Sequence, residues 1–344
     1  MKELSPAPQL SQVSKPSQAP TQVTAPDAPA DCGLWLEAAA GFVSTPAIER
    51  VVRRARAYLD AGYPVHFSGP AGIGKTTLAF HVAALRQRPV VLIHGDESLK
   101  SSDLVGGESG YRRSRVVDNY VHSVLKTEEN VQTLWADNRL TLACKQGYTL
   151  LYDEFTRSRA EANNALLSVL EERLLTMPRQ GTGEEACIGV HPEFRAIVTS
   201  NPEEYAGVHR TQDALADRLV TIRLDHFDRE TEVVVTQAKS GLSREDCEVV
   251  VDIVRGMRKL GIARHGPSVR AAIMIARMAA QEKVGVGVGD PLFDEVCQDV
   301  LSNVSGKVFR DGEPDVSHRV AEVIAAHSIK ATLARPRREQ GTRA

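Results

Sequence analysis

Gly69 to Thr77 reads "GPAGIGKTT". Gly69, Gly74, Lys75 and Thr76 fit GxxxxGK[ST], and the flanking residues decide what that pattern means. "YPVHFSG" before it is a compact apolar run suited to a buried strand, while "TTLAFHVAALR" after it has helical spacing. A glycine loop between strand and helix is a phosphate cradle, because backbone N–H groups converge there on the positive end of a helix. The whole run, Gly69, Pro70, Ala71, Gly72, Ile73, Gly74, Lys75, Thr76 and Thr77, is therefore the expected nucleotide-binding loop. Lys75 is suited to neutralise the β/γ-phosphate oxygens, and the Thr76 hydroxyl to ligate Mg²⁺.

Outward from this loop the chain alternates. Thr45 can cap a helix that Pro46 begins, with Ile48, Val51, Val52, Ala55 and Leu59 at helical spacing until Gly62. Four further strand candidates follow: "PVVLIHG", "YTLLYDE", "FRAIVTSN" and "LVTIRL", each separated from the next by helical stretches. Alternating strands and helices predict a parallel five-stranded α/β sheet covered on both faces, with ligands at the carboxyl ends of the strands. After about Asp225 strand signals vanish, and Glu230–Lys239, Glu245–Leu260, Ser268–Lys283, Pro291–Ser305 and Val316–Leu333 read as helices of a smaller second domain. The expected division is a Pro/Ser/Gln-rich disordered tail over 1–41, an α/β domain over 42–225, a helical domain over 226–334, and a basic flexible tail over 335–344.

Two strand ends carry the remaining chemistry. "LLYDE" finishes on Asp153 and Glu154, which puts adjacent carboxylates above the phosphate loop, a costly arrangement unless a cation shares it. Asp153 is expected to hold Mg²⁺ through its water shell, and Glu154 to accept a proton from an attacking water. "TSN" ends another strand on Asn201, whose neutral amide could orient that water. Arg218 in "LADRL" and Arg270 in "PSVRAA" occupy notable places, but arginines at such positions are ordinarily solvated or ion-paired, and spacing alone gives them no role.

Composition removes other classes. A net charge of −2 and a pI near 6.6 give no global reason to expect nucleic acid as partner. Five scattered cysteines without CxxC spacing indicate neither a disulfide framework nor a zinc site. No apolar run reaches the length of a membrane span, since even "AAIMIARMAA" is broken by Arg277, and the N-terminus lacks a signal-peptide pattern. A cytoplasmic protein is expected.

In this order the elements resemble the MoxR-like branch of the AAA+ ATPases. "DEFTRSRAEANNALLSVLEER" is similar to that branch's Walker B segment and following helix, with Thr156 where Asn is common. The 78 positions from Lys75 to Asp153 leave room for a helix-2 insert, in which "DLVGG" (Asp103–Gly107) looks familiar, and "RLLTMPRQGTGEEACIGVHPEFRAI" looks like a pre-sensor-1 hairpin. "FVSTPAIERVVRRARAYLDAGYPVHFSGPAGIGKTTLA" and "DEFTRSRAEANNALLSVLEERLLTMP" more narrowly resemble the gas vesicle protein N family, over roughly Phe42 to Ile275. The resemblance implies an AAA+ sheet with a helical lid, ATP and Mg²⁺ as ligands, and ATP hydrolysis to ADP and phosphate. It further implies a homo-oligomeric ring, expected to be hexameric, with gas vesicle proteins as clients, and association with the vesicles. It makes Arg218 the arginine finger and Arg270 the sensor-2 arginine, and sets the base near Phe42, Val43 and Ile48. An ATP-binding assembly scaffold with slow or dispensable hydrolysis is the other class compatible with these residues. A metabolite kinase fits them poorly, because paired carboxylates, Asn201 and a separate helical domain are what water activation and inter-subunit sensing require.

Overall fold

In the computed structural model the five predicted strands form one sheet, and all of its pairings are parallel. The structure describes residues 34–35, 42–118, 126–177, 186–201, 213–260, 266–287, 290–304 and 320–327. The sheet contains β1 (Val65–Ser68), β2 (Val90–His94), β5 (Thr149–Asp153), β8 (Arg195–Ser200) and β9 (Val220–Arg223), in the order β2-β5-β8-β1-β9. Each strand is only four to six residues long. Short strands buried on both faces can be continuously apolar, which is why they stood out as compact runs.

Strand alternation divides the core. Val65, Phe67, Leu151 and Ile197 face α1 (Pro46–Asp60) and α2 (Lys75–Ala84), where Ile48, Ala55, Leu59, Leu78 and Val82 meet them. Leu150, Tyr152, Ala196 and Val198 point the other way, toward α4 (Arg139–Gln146) and α5 (Ala160–Glu171). Each fully buried Leu, Val or Phe side chain contributes roughly 1.5–3 kcal/mol of transfer free energy. Thr45 caps α1 as expected, its hydroxyl accepting from the Ile48 N–H at 3.4 Å.

The interval between α2 and β5 holds more than a helix. α3 (Ser101–Val105) runs into an antiparallel ribbon of β3 (Gly106–Asp118) and β4 (Lys126–Asp137), after which α4 resumes. The carbonyl of Val105 accepts from the Asn138 N–H at 3.2 Å and from the Thr141 hydroxyl at 2.5 Å, so the two ends of the ribbon are tied together. This ribbon occupies the interval in which the resemblance places an insert. β6 (Leu174–Met177) and β7 (Ala186–Gly189) make a second antiparallel pair at the place of the expected hairpin. The turn of that hairpin, Gly181–Gly183, lies outside the described residues, as do residues 1–33, 36–41 and 328–344.

Beyond β9 the described chain is helical: α7 (Arg229–Ser240), α8 (Arg244–Lys259), α9 (Val269–Glu282), α10 (Pro291–Val304), and a further helical stretch at 320–327. These helices share their own core, built on Val250, Ile253, Ala272, Ile275, Phe293 and Val320. The Thr45 and Thr231 hydroxyls, 3.1 Å apart, join the start of α1 to α7.

Candidate active site

β1 delivers the chain into the glycine loop, and α2 begins at Lys75. Gly72 (φ +74°) and Gly74 (φ +94°) both take the left-handed conformation, which lets the loop curl with its N–H groups inward. Gly72 is also closely overlaid: a Cβ there would lie 2.2 Å from Ser268 Oγ. Lys75 is 8% exposed, and its Nζ donates to the carbonyls of Gly69 at 2.8 Å and Pro70 at 2.7 Å, so the ammonium spans the loop.

Thr76 and Asp153, 77 positions apart, meet directly: the Thr76 hydroxyl donates to Asp153 Oδ1 at 2.8 Å. β5 places Asp153 on the α2 face of the sheet, and the same alternation on β8 brings up Thr199, whose hydroxyl donates to the same oxygen at 2.5 Å. His94 Nδ1 stands 3.8 Å from Asp153 Oδ2, across the β2–β5 pairing that sets His94 beside Asp153. A hydroxyl and a carboxylate brought to one point are hard oxygen ligands, the donor set that suits Mg²⁺ with water completing its shell.

Glu154 breaks the strand. Its backbone is left-handed (φ +53°, ψ +40°), a conformation that costs a non-glycine residue on the order of 1–3 kcal/mol and persists only where neighbours enforce it. The enforcement is visible. The Glu154 N–H donates to Thr199 Oγ1 at 3.0 Å, the Gly95 N–H donates to the Asp153 carbonyl at 2.7 Å, and a Cβ on Gly95 would lie 2.0 Å from the Glu154 carbonyl oxygen. The turn throws the Glu154 side chain toward solvent, where Arg157 Nη1 donates to it at 2.6 Å. Asn201 follows β8 directly and is 7% exposed.

The two arginines part company. Arg270 lines a cavity of about 460 Å³ together with Gly72, Gly74 and Thr77 of the same chain. Phe42, Val43 and Ile48, the residues expected near the base, line it too, and Phe42 stacks on His81 with ring centroids 3.6 Å apart. Arg218 does not line that cavity: it ends α6 (Asp213–Arg218) and is ion-paired with Glu171 at the end of α5, its Nε donating at 2.7 Å. Sequence reasoning passed over Thr199, Gly95, His94 and Arg157. Thr199 had a readable signal, since it lies two places before Asn201 and so shares its side of a strand; His94 and Gly95 depend on β2 neighbouring β5, and Arg157 meets Glu154 through the local turn that follows β5.

Residues 64–219 match the model of the AAA domain, dynein-related subfamily. The chain is 50% identical over 293 residues to the gas vesicle ATPase GvpN of Ancylobacter aquaticus, covering 85% of this chain and 79% of that one. It is 47% identical to the gas vesicle ATPase GvpN of Haloferax mediterranei, over 76% of this chain and 74% of that one. It is 27% identical to the protein NorQ of Paracoccus denitrificans, over 62% of this chain and 73% of that one. With the phosphate loop, the paired carboxylates and the β2-β5-β8-β1-β9 sheet in place, the chain belongs to the GvpN family of gas vesicle ATPases, within the MoxR-like AAA+ enzymes.

Proposed function

We propose that this chain works as a ring, hexameric by family pattern, in which Mg²⁺-ATP hydrolysis at each subunit junction remodels or recruits gas vesicle proteins during shell assembly and growth. The helical region acts as a lid over the α/β domain, and the cytoplasmic ring associates with the vesicles. One contrast carries the reading: Arg270 shares a cavity with the phosphate loop of its own chain, whereas Arg218 stands outside it. An arginine on a separate surface is available to a neighbour.

Lys75 holds the β/γ-phosphate oxygens, and the loop N–H groups hold the rest. Thr76 and Asp153 would hold the magnesium, which supplies positive charge to the phosphates when bound. Glu154 takes the proton of the attacking water, and the Asn201 amide orients that water. The Arg157–Glu154 pair does not oppose this, because both side chains are nearly half exposed and such a surface pair is worth about 0–1 kcal/mol. Arg218 of the adjoining subunit neutralises charge as the phosphoryl group transfers, a contribution of about 10³–10⁵ in rate. Its present partner Glu171 is more than half exposed, so the exchange is cheap.

Phosphate release and gas vesicle formation, measured on Lys75→Ala, Glu154→Gln and Arg218→Ala, test the proposal. All three should lose turnover and vesicle formation, with Glu154→Gln still binding ATP. If Glu154→Gln still built vesicles while Lys75→Ala did not, ATP binding alone would suffice, and the protein would be an assembly scaffold.

A further inference from the structure

Glu232 sits in α7 with its side chain only 3% exposed, and it neutralises two arginines of α8 at once. Arg255 Nη1 donates to Oε2 and Arg258 Nη2 donates to Oε1, each at 2.9 Å. Each guanidinium then reaches a backbone carbonyl outside these helices. Arg255 Nη1 donates to the Phe227 carbonyl at 3.1 Å, in the connection that leaves the sheet. Arg258 Nε donates to the Pro267 carbonyl at 2.9 Å, in the turn that enters α9. One buried carboxylate thereby joins the connection from the sheet, the middle of the helical region and the start of α9.

That last turn touches the nucleotide loop. Ser268 follows Pro267 and lies against Gly72, close enough that a Cβ on Gly72 would meet its hydroxyl at 2.2 Å and Arg270 Cβ at 3.4 Å. Phe227, Glu232, Val269 and Arg270 all border the same cavity. On the other side of the turn, Gly266 packs on Arg258 so tightly that a Cβ there would lie 2.6 Å from Arg258 Cγ. Arg258 is thus held by Glu232 from one side and holds the turn from the other. Charge-assisted hydrogen bonds in a buried setting have about twice the strength of neutral ones, and losing one partner leaves the other charge uncompensated.

We infer that Glu232, acting through Arg258 and the Pro267 carbonyl, is a positioning residue that sets Arg270 against the phosphate loop. The inference rests on the proposed role of Arg270 in nucleotide binding. Glu232 needs no contact with ATP for this: both its oxygens are engaged by guanidinium groups, and its effect reaches the nucleotide only through the placement of α9.

A double-mutant cycle on the full chain separates positioning from general stability. The affinity for a fluorescent ATP analogue and the thermal midpoint are measured for the parent, Glu232→Gln, Arg270→Ala and the double variant. Glu232→Gln should weaken binding roughly tenfold in the parent, as expected for one lost charge-assisted bond. In the Arg270→Ala background the same change should weaken binding less than about twofold, while the thermal midpoint drops equally in both backgrounds. Equal weakening in both backgrounds, or none in the parent, overturns the inference. Arg270→Ala binding ATP like the parent removes the role of Arg270 itself, a different failure visible in the single variant. Gly266→Ala gives a second route, because it keeps every charge and displaces Arg258; it should reproduce the weakened binding, and unaltered binding there counts against the inference.

Discussion

Thr199 is the residue on which two parts of the site converge. Its hydroxyl donates to Asp153 and accepts from the Glu154 N–H, so Thr199→Val strips a partner from the Asp153 carboxylate, the proposed magnesium ligand, and leaves a backbone donor unsatisfied. Each loss is worth about 1–3 kcal/mol. Saturated turnover should fall roughly ten- to a hundredfold, read by phosphate release, with Thr199→Ser retaining most of it. Gly95→Ala acts on the same turn from outside. Its methyl group would press on the Glu154 carbonyl at 2.0 Å, a backbone contact that no rotamer change relieves. The thermal midpoint should drop by several degrees and turnover should drop with it, whereas Gly107→Ala, with open space around the site of its Cβ, should change neither.

Among the elements, β1 depends on a histidine that no motif includes. His66 lies between β8 and β9 in register with Val198 and Thr221; its Nδ1 is 3.0 Å from Thr221 Oγ1 and its Nε2 is 2.8 Å from Ser200 Oγ. Burial lowers its pKa from 6.5 to about 4, so the folded sheet holds it neutral. The unfolded chain binds the proton more readily, and stability from this site is therefore full above about pH 6.5 and declines as pH falls toward 4. The decline should reach about 2 kcal/mol by pH 5. Urea unfolding of the parent and His66→Gln across pH 5 to 8 isolates it as the difference between the two slopes. The five strands, α1, α2 and the helices after β9 were legible because each is a self-contained apolar pattern with its own cap or turn. The ribbon was less so: the length of the interval and the "DLVGG" stretch pointed to an insert, but not to its two strands. Likewise the places of Asp153 and Lys75 could be read from their strand and loop, but Gly95 and Thr199 reach the Glu154 turn because β2 and β8 flank β5, a neighbourhood set by the whole sheet.

For the molecule as a whole, the proposed service of Arg218 to a neighbouring subunit would make activity a property of assembly. Specific ATPase activity should rise with protein concentration and track particle mass measured with and without ATP. An excess of Arg218→Ala subunits mixed into the parent should suppress turnover beyond simple dilution, whereas constant specific activity across dilution would place the whole reaction in one chain. No helix among the described residues is long and apolar enough to cross a membrane. Here the closure at Val105 matters. Because the two feet of the β3–β4 ribbon are stitched to one carbonyl, the ribbon should be exchangeable: replacing residues 107–136 with a short turn should leave the affinity for a fluorescent ATP analogue unchanged, since the closure at its base does not need the strands above it.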